Sequence, residues 1–170
     1  NPNLQNVSSK DDKTGHNLRE SFIPDPDYWF VSFDYKAQEM CLLFDMSGEV
    51  EIAERIKTGE DTHAVTAALM CVDRSTAKTV GFALVYGAGI SRLASQLGVT
   101  ETEARRLRQL FFDKMPKAAK FIKQVIERAN GGFIANPWGR VLQFKRDDSY
   151  KAVNYLIQGS GAEIIRDAMI

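Results

Sequence analysis

The sequence has few cysteines, no long apolar run and no surplus of either charge. Its two cysteines, Cys41 and Cys71, form no CxxC pair. That is the spacing zinc-binding and redox thiols use, so both are read as buried core thiols. No apolar stretch approaches the roughly 18 residues that cross a bilayer, and no membrane is expected among the partners. The polar opening Asn1-Pro2-Asn3-Leu4-Gln5 is not expected to be a signal peptide. There is no internal repeat and no low-complexity segment. Lys and Arg number 22 against 22 Asp and Glu, so net charge gives no sign of a nucleic-acid partner. The basic residues are unevenly placed, however. Arg105, Arg106, Arg108, Lys114, Lys117, Lys120 and Lys123 fall close together, and on charge alone they are read as a solvated helix face.

What remains is an ordinary globular composition, 44% hydrophobic and 26% charged in 170 residues, enough for a domain with a core. Residues 1–17 read as loop. Strand patterns follow over 18–23 and 30–35, around the turn Pro24-Asp25-Pro26-Asp27. Helices are expected over 38–45, 49–57, 61–69 and 74–86, the last stopped by Gly87-Ala88-Gly89. Thr100-Glu101-Thr102-Glu103 reads as a capping box opening a helix to Met115. Pro116 breaks it, and a second helix runs over 117–130 to Gly131-Gly132. Residues 133–135 and 141–144 read as a hairpin packed by Trp138, and a last helix starts near Ser149. The order is α+β. The chain closes at Ala168-Met169-Ile170 without a helix stop signal, so it is expected to be a piece of something longer.

Two places could carry chemistry. Asp34 ends the strand pattern 30–35, where a carboxylate can hold a hard cation or cap the following helix. Arg74, Lys78, Phe82 and Tyr86 recur every fourth residue. At 1.5 Å per residue they form a slowly turning stripe about 18 Å long, comparable to an extended nucleoside triphosphate. Cations at one end suit phosphates and rings at the other suit sugar and base. The same spacing also describes a core face with snorkelling basic residues.

The stretch from Arg74 through Lys78 and Phe82 to Tyr86-Gly87 resembles the fingers helix of family A DNA polymerases. Four other segments match in the family's order: Asn3-Leu4-Gln5-Asn6; Ser32-Phe33-Asp34-Tyr35 with Glu39; Asp61-Thr62-His63; and Asn154 through Gln158-Gly159. The resemblance implies a mostly helical fingers subdomain joined to part of an antiparallel-sheet palm. Residues 1–60 would be partial palm, 61–130 fingers, and 131–170 a hairpin and return helix. It implies template-directed DNA synthesis by the parent protein, with primer–template DNA and deoxynucleoside triphosphates as partners, two Mg2+ ions as cofactor, and a monomer in the cytoplasm of a bacterial or phage-infected cell. Asp34 and the Tyr35 backbone would ligate metal. Arg74, Lys78 and His63 would bind triphosphate, with Lys78 also catalytic through the leaving pyrophosphate. Phe82 would pack on the sugar, and Tyr86 with Glu39 would exclude a ribose 2′-hydroxyl. Asn6, Asn154 and Gln158 would touch DNA.

The chain also departs from the family's pattern. Lys36-Ala37 stands where Ser-Gln is usual, and Met40-Cys41 where Leu-Arg is usual, which removes a buried basic residue. Tyr150 stands where an Arg is often found. These changes suggest a phage-like or otherwise divergent branch. The family's second metal-binding carboxylate would fall downstream, so the 170 residues alone are not expected to polymerise DNA. A single-subunit RNA polymerase fragment and a non-catalytic DNA-binding replication module are the alternatives.

Overall fold

The structure is a computed structural model and describes residues 21–31 and 34–170. The chain divides into two units, Asn1–Tyr35 and Lys36–Ile170, each described here by itself. In the first, the Tyr28 amide donates to the Asp25 carbonyl at 3.0 Å and Asp27 turns with a φ of 70°. The expected strands do not form at residues 21–23 or at Phe30, Val31, Asp34 and Tyr35. A strand needs a neighbour for its N–H and C=O groups, and the described residues of this unit supply none. The expected loop 1–17, with Asn6, lies outside the described residues, as do 18–20, 32 and 33.

The second unit is built from α1 (Gln38–Ser47), α2 (Val50–Lys57), α3 (Thr62–Met70), α4 (Arg74–Val85), α5 (Ile90–Leu97), α6 (Glu101–Lys114), α7 (Pro116–Ala129) and α8 (Ala152–Ala168). Side-chain caps start three of them. Asp61 accepts from the Ala64 amide, Asp73 from Thr76 and Thr100 from Glu103. Only half of the expected capping box forms, because the Glu103 carboxylate turns forward to Arg106 at 2.7 and 2.8 Å. Pro116 opens α7, where its missing N–H is no loss. The next amides, of Lys117 and Ala118, donate to Glu49 Oε1 at 2.7 and 3.0 Å, a cap supplied from far along the chain.

Helix α5 was not among the expected elements. Its apolar positions Ile90, Leu93, Ala94 and Leu97 follow helical spacing, and Gly98 closes it, but it is one short amphipathic segment between two conspicuous signals. The last helix also begins differently. A 3₁₀ segment, Arg146–Lys151, precedes α8, whereas one helix from near Ser149 was expected.

Strands β1 (Phe133–Ala135) and β2 (Val141–Gln143) pair antiparallel, with Phe133 opposite Gln143 and Ala135 opposite Val141. Trp138 does not fill the hairpin. It is 43% exposed, and its indole N–H donates to Asp167 of α8 at 3.1 Å. Glu163, buried on α8, pairs with Arg140 at 3.1 Å and with Arg166, so a second link joins the hairpin to that helix.

The core gathers Met40, Leu43 and Phe44 of α1, Val65 and Met70 of α3, Val80 and Val85 of α4, Leu93, Phe111, Met115, Val153 and Ile157. Each such side chain contributes about 1.5–3 kcal/mol on burial. The cysteines do not belong to it. Cys71 is exposed at the left-handed end of α3, and Cys41 is half-buried with its Sγ 3.6 Å from Thr62 Oγ1. The basic cluster is the solvated face expected from charge except at Arg108, which is half-buried with its guanidinium carbon 5.5 Å from the Phe112 ring centre. Arg105 pairs with Glu101, Arg106 with Glu103 and Lys123 with Glu127, all within one helix turn and exposed.

Candidate functional site

The site is the outward face of α4 where α1, α3 and α8 meet it. Ala77, Val80, Gly81, Leu84 and Val85 turn one side of α4 into the core. Arg74, Lys78, Phe82 and Tyr86 are left on the other side, where Arg74, Lys78 and Tyr86 are exposed and Phe82 is half-buried. Gly81 sets how closely α1 approaches. A Cβ there would lie 3.0 Å from the Met40 side chain. This crossing carries Glu39, the neighbour of Met40, alongside the end of α4.

The aromatic end is a three-residue contact across three helices. The Tyr86 hydroxyl donates to Glu39 Oε1 of α1 at 3.5 Å, and Gln158 Nε2 of α8 donates to that hydroxyl at 3.3 Å. Gly87, at a φ of 65°, lies so close to the 3₁₀ segment that a Cβ would sit 2.6 Å from the Tyr150 carbonyl oxygen. Asn154 shares α8 with Gln158, and its Oδ1 is buried without a protein partner.

In the middle of the stripe, the rings of His63 and Phe82 are 5.5 Å apart, and those of Phe82 and Tyr86 6.1 Å. The Lys78 ammonium lies 5.7 Å from the Phe82 ring centre. His63 is 4% exposed and its Nδ1 has no protein partner. Burial is the main cause that pushes its pKa below the ordinary 6.5; Arg74 and Lys78 push the same way, against Asp61 and Glu39.

At the cationic end Arg74 is already engaged. Its Nε and Nη2 donate to the two oxygens of Asp61, each at 2.9 Å, in a bidentate pair. The Lys36 ammonium stands 3.7 Å from Asp61 Oδ2. The hydrogen bond from Arg74 is the first cause that holds the Asp61 carboxyl well below the usual carboxylate range. Among the described residues, these are the features sequence reasoning missed: Asp61 beyond its capping role, Lys36 as a cation near the stripe, and Gln158 on the Tyr86 hydroxyl. No local pattern signals them.

Asp34 and Tyr35 are exposed and belong to the first unit. Two hard divalent ions need many oxygen ligands. Among the described residues no group of three His, Cys, Asp or Glu could hold a metal ion. One carboxylate and one carbonyl do not fit that demand, so the described residues do not hold two metal ions by themselves. No helix among them is long and apolar enough to cross a membrane.

A model of DNA polymerase family A matches residues 1–170. The DNA polymerase of Mycobacterium phage L5 is 34% identical over 154 residues, covering 90% of this chain and 26% of that protein. DNA polymerase I of Borreliella burgdorferi is 32% identical over 190 residues, covering 100% of this chain and 21% of that protein. The chain therefore spans about a quarter of the length of these relatives. The POL domain of Pol1 from M. smegmatis, solved in complex with DNA primer-template and dNTP, shares a TM-score of 0.82 at 27% identity. That match covers 99% of this chain and 33% of the solved one.

Proposed function

Because this chain belongs to DNA polymerase family A, we propose that its parent protein carries out template-directed DNA synthesis and that the α4 face grips the incoming deoxynucleoside triphosphate. Residues 1–60 serve as partial palm, 61–130 as fingers, and 131–170 as the hairpin and return helix. Arg74, Lys78 and His63 take the triphosphate, Phe82 lies on the sugar, and Asn154 and Gln158 meet the primer–template, which Asn6 also contacts. Lys78 donates a proton to the departing pyrophosphate. Asp34 and the Tyr35 carbonyl contribute to metal binding; two Mg2+ ions, when held by the whole enzyme, would neutralise charge on the reacting phosphates. The protein works as a cytoplasmic monomer.

The physical case rests on the stripe. Phosphoryl transfer needs charge neutralisation and positioning more than covalent chemistry, and a helix with cations at one end and rings at the other offers both. The observation that carries the reading is the Tyr86 hydroxyl within 3.5 Å of Glu39. A phenol and a carboxylate held side by side form a gate that leaves no room for a ribose 2′-hydroxyl, which favours deoxynucleotides over the ribonucleotides an RNA polymerase would take. The cations on α4 favour a nucleotide-binding role over a passive DNA-binding module.

The test is primer extension by the full-length parent with deoxy- and ribonucleotides in parallel. Deoxynucleotide incorporation is expected to dominate. Lys78→Ala should lower kcat about 100-fold, the scale for removing one electrostatic stabiliser of a transition state. Equal use of both sugars, or a Lys78→Ala enzyme as fast as wild type, would refute this assignment.

A further inference from the structure

Arg74 is proposed above to bind triphosphate, yet the side-on edge of its guanidinium, Nε and Nη2, is taken. Asp61 accepts from Nε and Nη2 at 2.9 Å each. The same carboxylate accepts the Ala64 amide at 2.9 Å, so it is fixed at the start of α3 and cannot follow Arg74 away. A triphosphate approaching Arg74 meets a rigid negative charge that both competes for the guanidinium and repels the ligand. If Arg74 moved off, Asp61, with its side chain only 23% exposed, would lose its main counter-charge.

Among the described residues, one other cation reaches this carboxylate. Lys36 Nζ is 3.7 Å from Oδ2, and its side chain is 70% exposed and free to move. It occupies the position after Asp34-Tyr35 where the family's pattern usually has Ser, so a neutral side chain there is compatible with the fold. It sits just before α1, whose first turn is anchored when the Met40 and Cys41 amides donate to the Ala37 carbonyl at 3.1 Å each.

Resting on the polymerase reading, we propose that Lys36 is a positioning residue that holds the Asp61 carboxylate when Arg74 exchanges it for the incoming triphosphate. With Lys36 present, Arg74 leaves a carboxylate that still has a cationic partner, and the local negative charge is offset. With a neutral residue at 36, Asp61 keeps Arg74 to itself and the nucleotide binds less tightly. The chemical step is unaffected, because Lys36 acts through Asp61 and Arg74.

The experiment measures kcat and KM for a deoxynucleotide with the full-length parent enzyme as wild type, Lys36→Ser, Lys36→Arg, Asp61→Asn and the Lys36→Ser/Asp61→Asn double variant. Asn caps α3 as well as Asp does, so the helix start is kept. Lys36→Ser is expected to raise KM about five-fold, the upper range for an exposed ion pair, with kcat little changed. Lys36→Arg should restore KM. In the Asp61→Asn background, Lys36→Ser should have no effect on KM, the signature of coupling through the carboxylate. An unchanged KM in Lys36→Ser overturns the proposal. So does an equal rise in the Asp61→Asn background, which would mean that Lys36 touches the triphosphate directly. A wild-type enzyme that incorporates no deoxynucleotide would instead overturn the polymerase reading on which this rests.

Discussion

Gly87 carries a stability prediction that the geometry makes quantitative. It has a φ of 65° and lies against the 3₁₀ segment, where a Cβ would be 2.6 Å from the Tyr150 carbonyl oxygen. Alanine there meets two penalties. The left-handed backbone costs a residue with a Cβ about 1–2 kcal/mol. Forcing a methyl against a backbone oxygen costs about 1–3 kcal/mol more, since a carbonyl cannot swing aside like a side-chain tip. Gly98 separates the two. Its φ is 67°, and a Cβ there meets nothing within 4 Å, so Gly98→Ala should pay the backbone cost alone. Equilibrium urea unfolding of the 170-residue chain, followed by far-UV circular dichroism, should place Gly87→Ala about 2–5 kcal/mol below wild type and Gly98→Ala about 1–2 kcal/mol below. Because Gly87 follows Tyr86, nucleotide KM in the parent enzyme should rise for Gly87→Ala and not for Gly98→Ala. Equal destabilisation by both substitutions would refute the close approach of α4 to the 3₁₀ segment.

Two other outcomes follow from single contacts. His63 has its folded pKa pushed below 6.5 by burial, so the unfolded chain takes up its proton first as pH falls. Stability should be fully present above pH 6.5 and decline below it, and a folded-state NMR titration midpoint at or above 6.5 would contradict this. Glu163→Gln removes a buried charge from Arg140 and Arg166, but both arginine side chains are more than half exposed and can turn to water. The cost should therefore be about 1–2 kcal/mol in the same urea assay, below the 3–5 kcal/mol of a fully buried broken pair. A loss above that range would mean that the arginines stay trapped.

Much of the helical layout was legible because its causes are local. Asp61 and Thr100 each cap within three residues, and Gly48 ends α1 where a left-handed residue is needed. The four-residue spacing from Arg74 to Tyr86 was also local, so sequence alone put two cations and two rings in one stripe. It could not tell a core stripe from an exposed one. That depended on which face of α4 met α1 and α6, and the answer was the face of Ala77, Val80 and Leu84. The strand over 30–35 failed for the opposite reason. Alternation names a face, whereas a strand exists only with a hydrogen-bonding neighbour.

What the sequence by itself determined, then, was the order of the helices other than α5, the caps at Asp61 and Thr100, and the chemical character of the stripe. Tertiary structure alone decided the partners of that stripe. Arg74 finds Asp61 13 residues away, Tyr86 finds Glu39 47 away, and Gln158 reaches Tyr86 across 72. Helical periodicity fixes neighbours only within about one turn; beyond that, contact is set by how helices cross, and crossing is set by the packing of side chains brought together from distant parts of the chain.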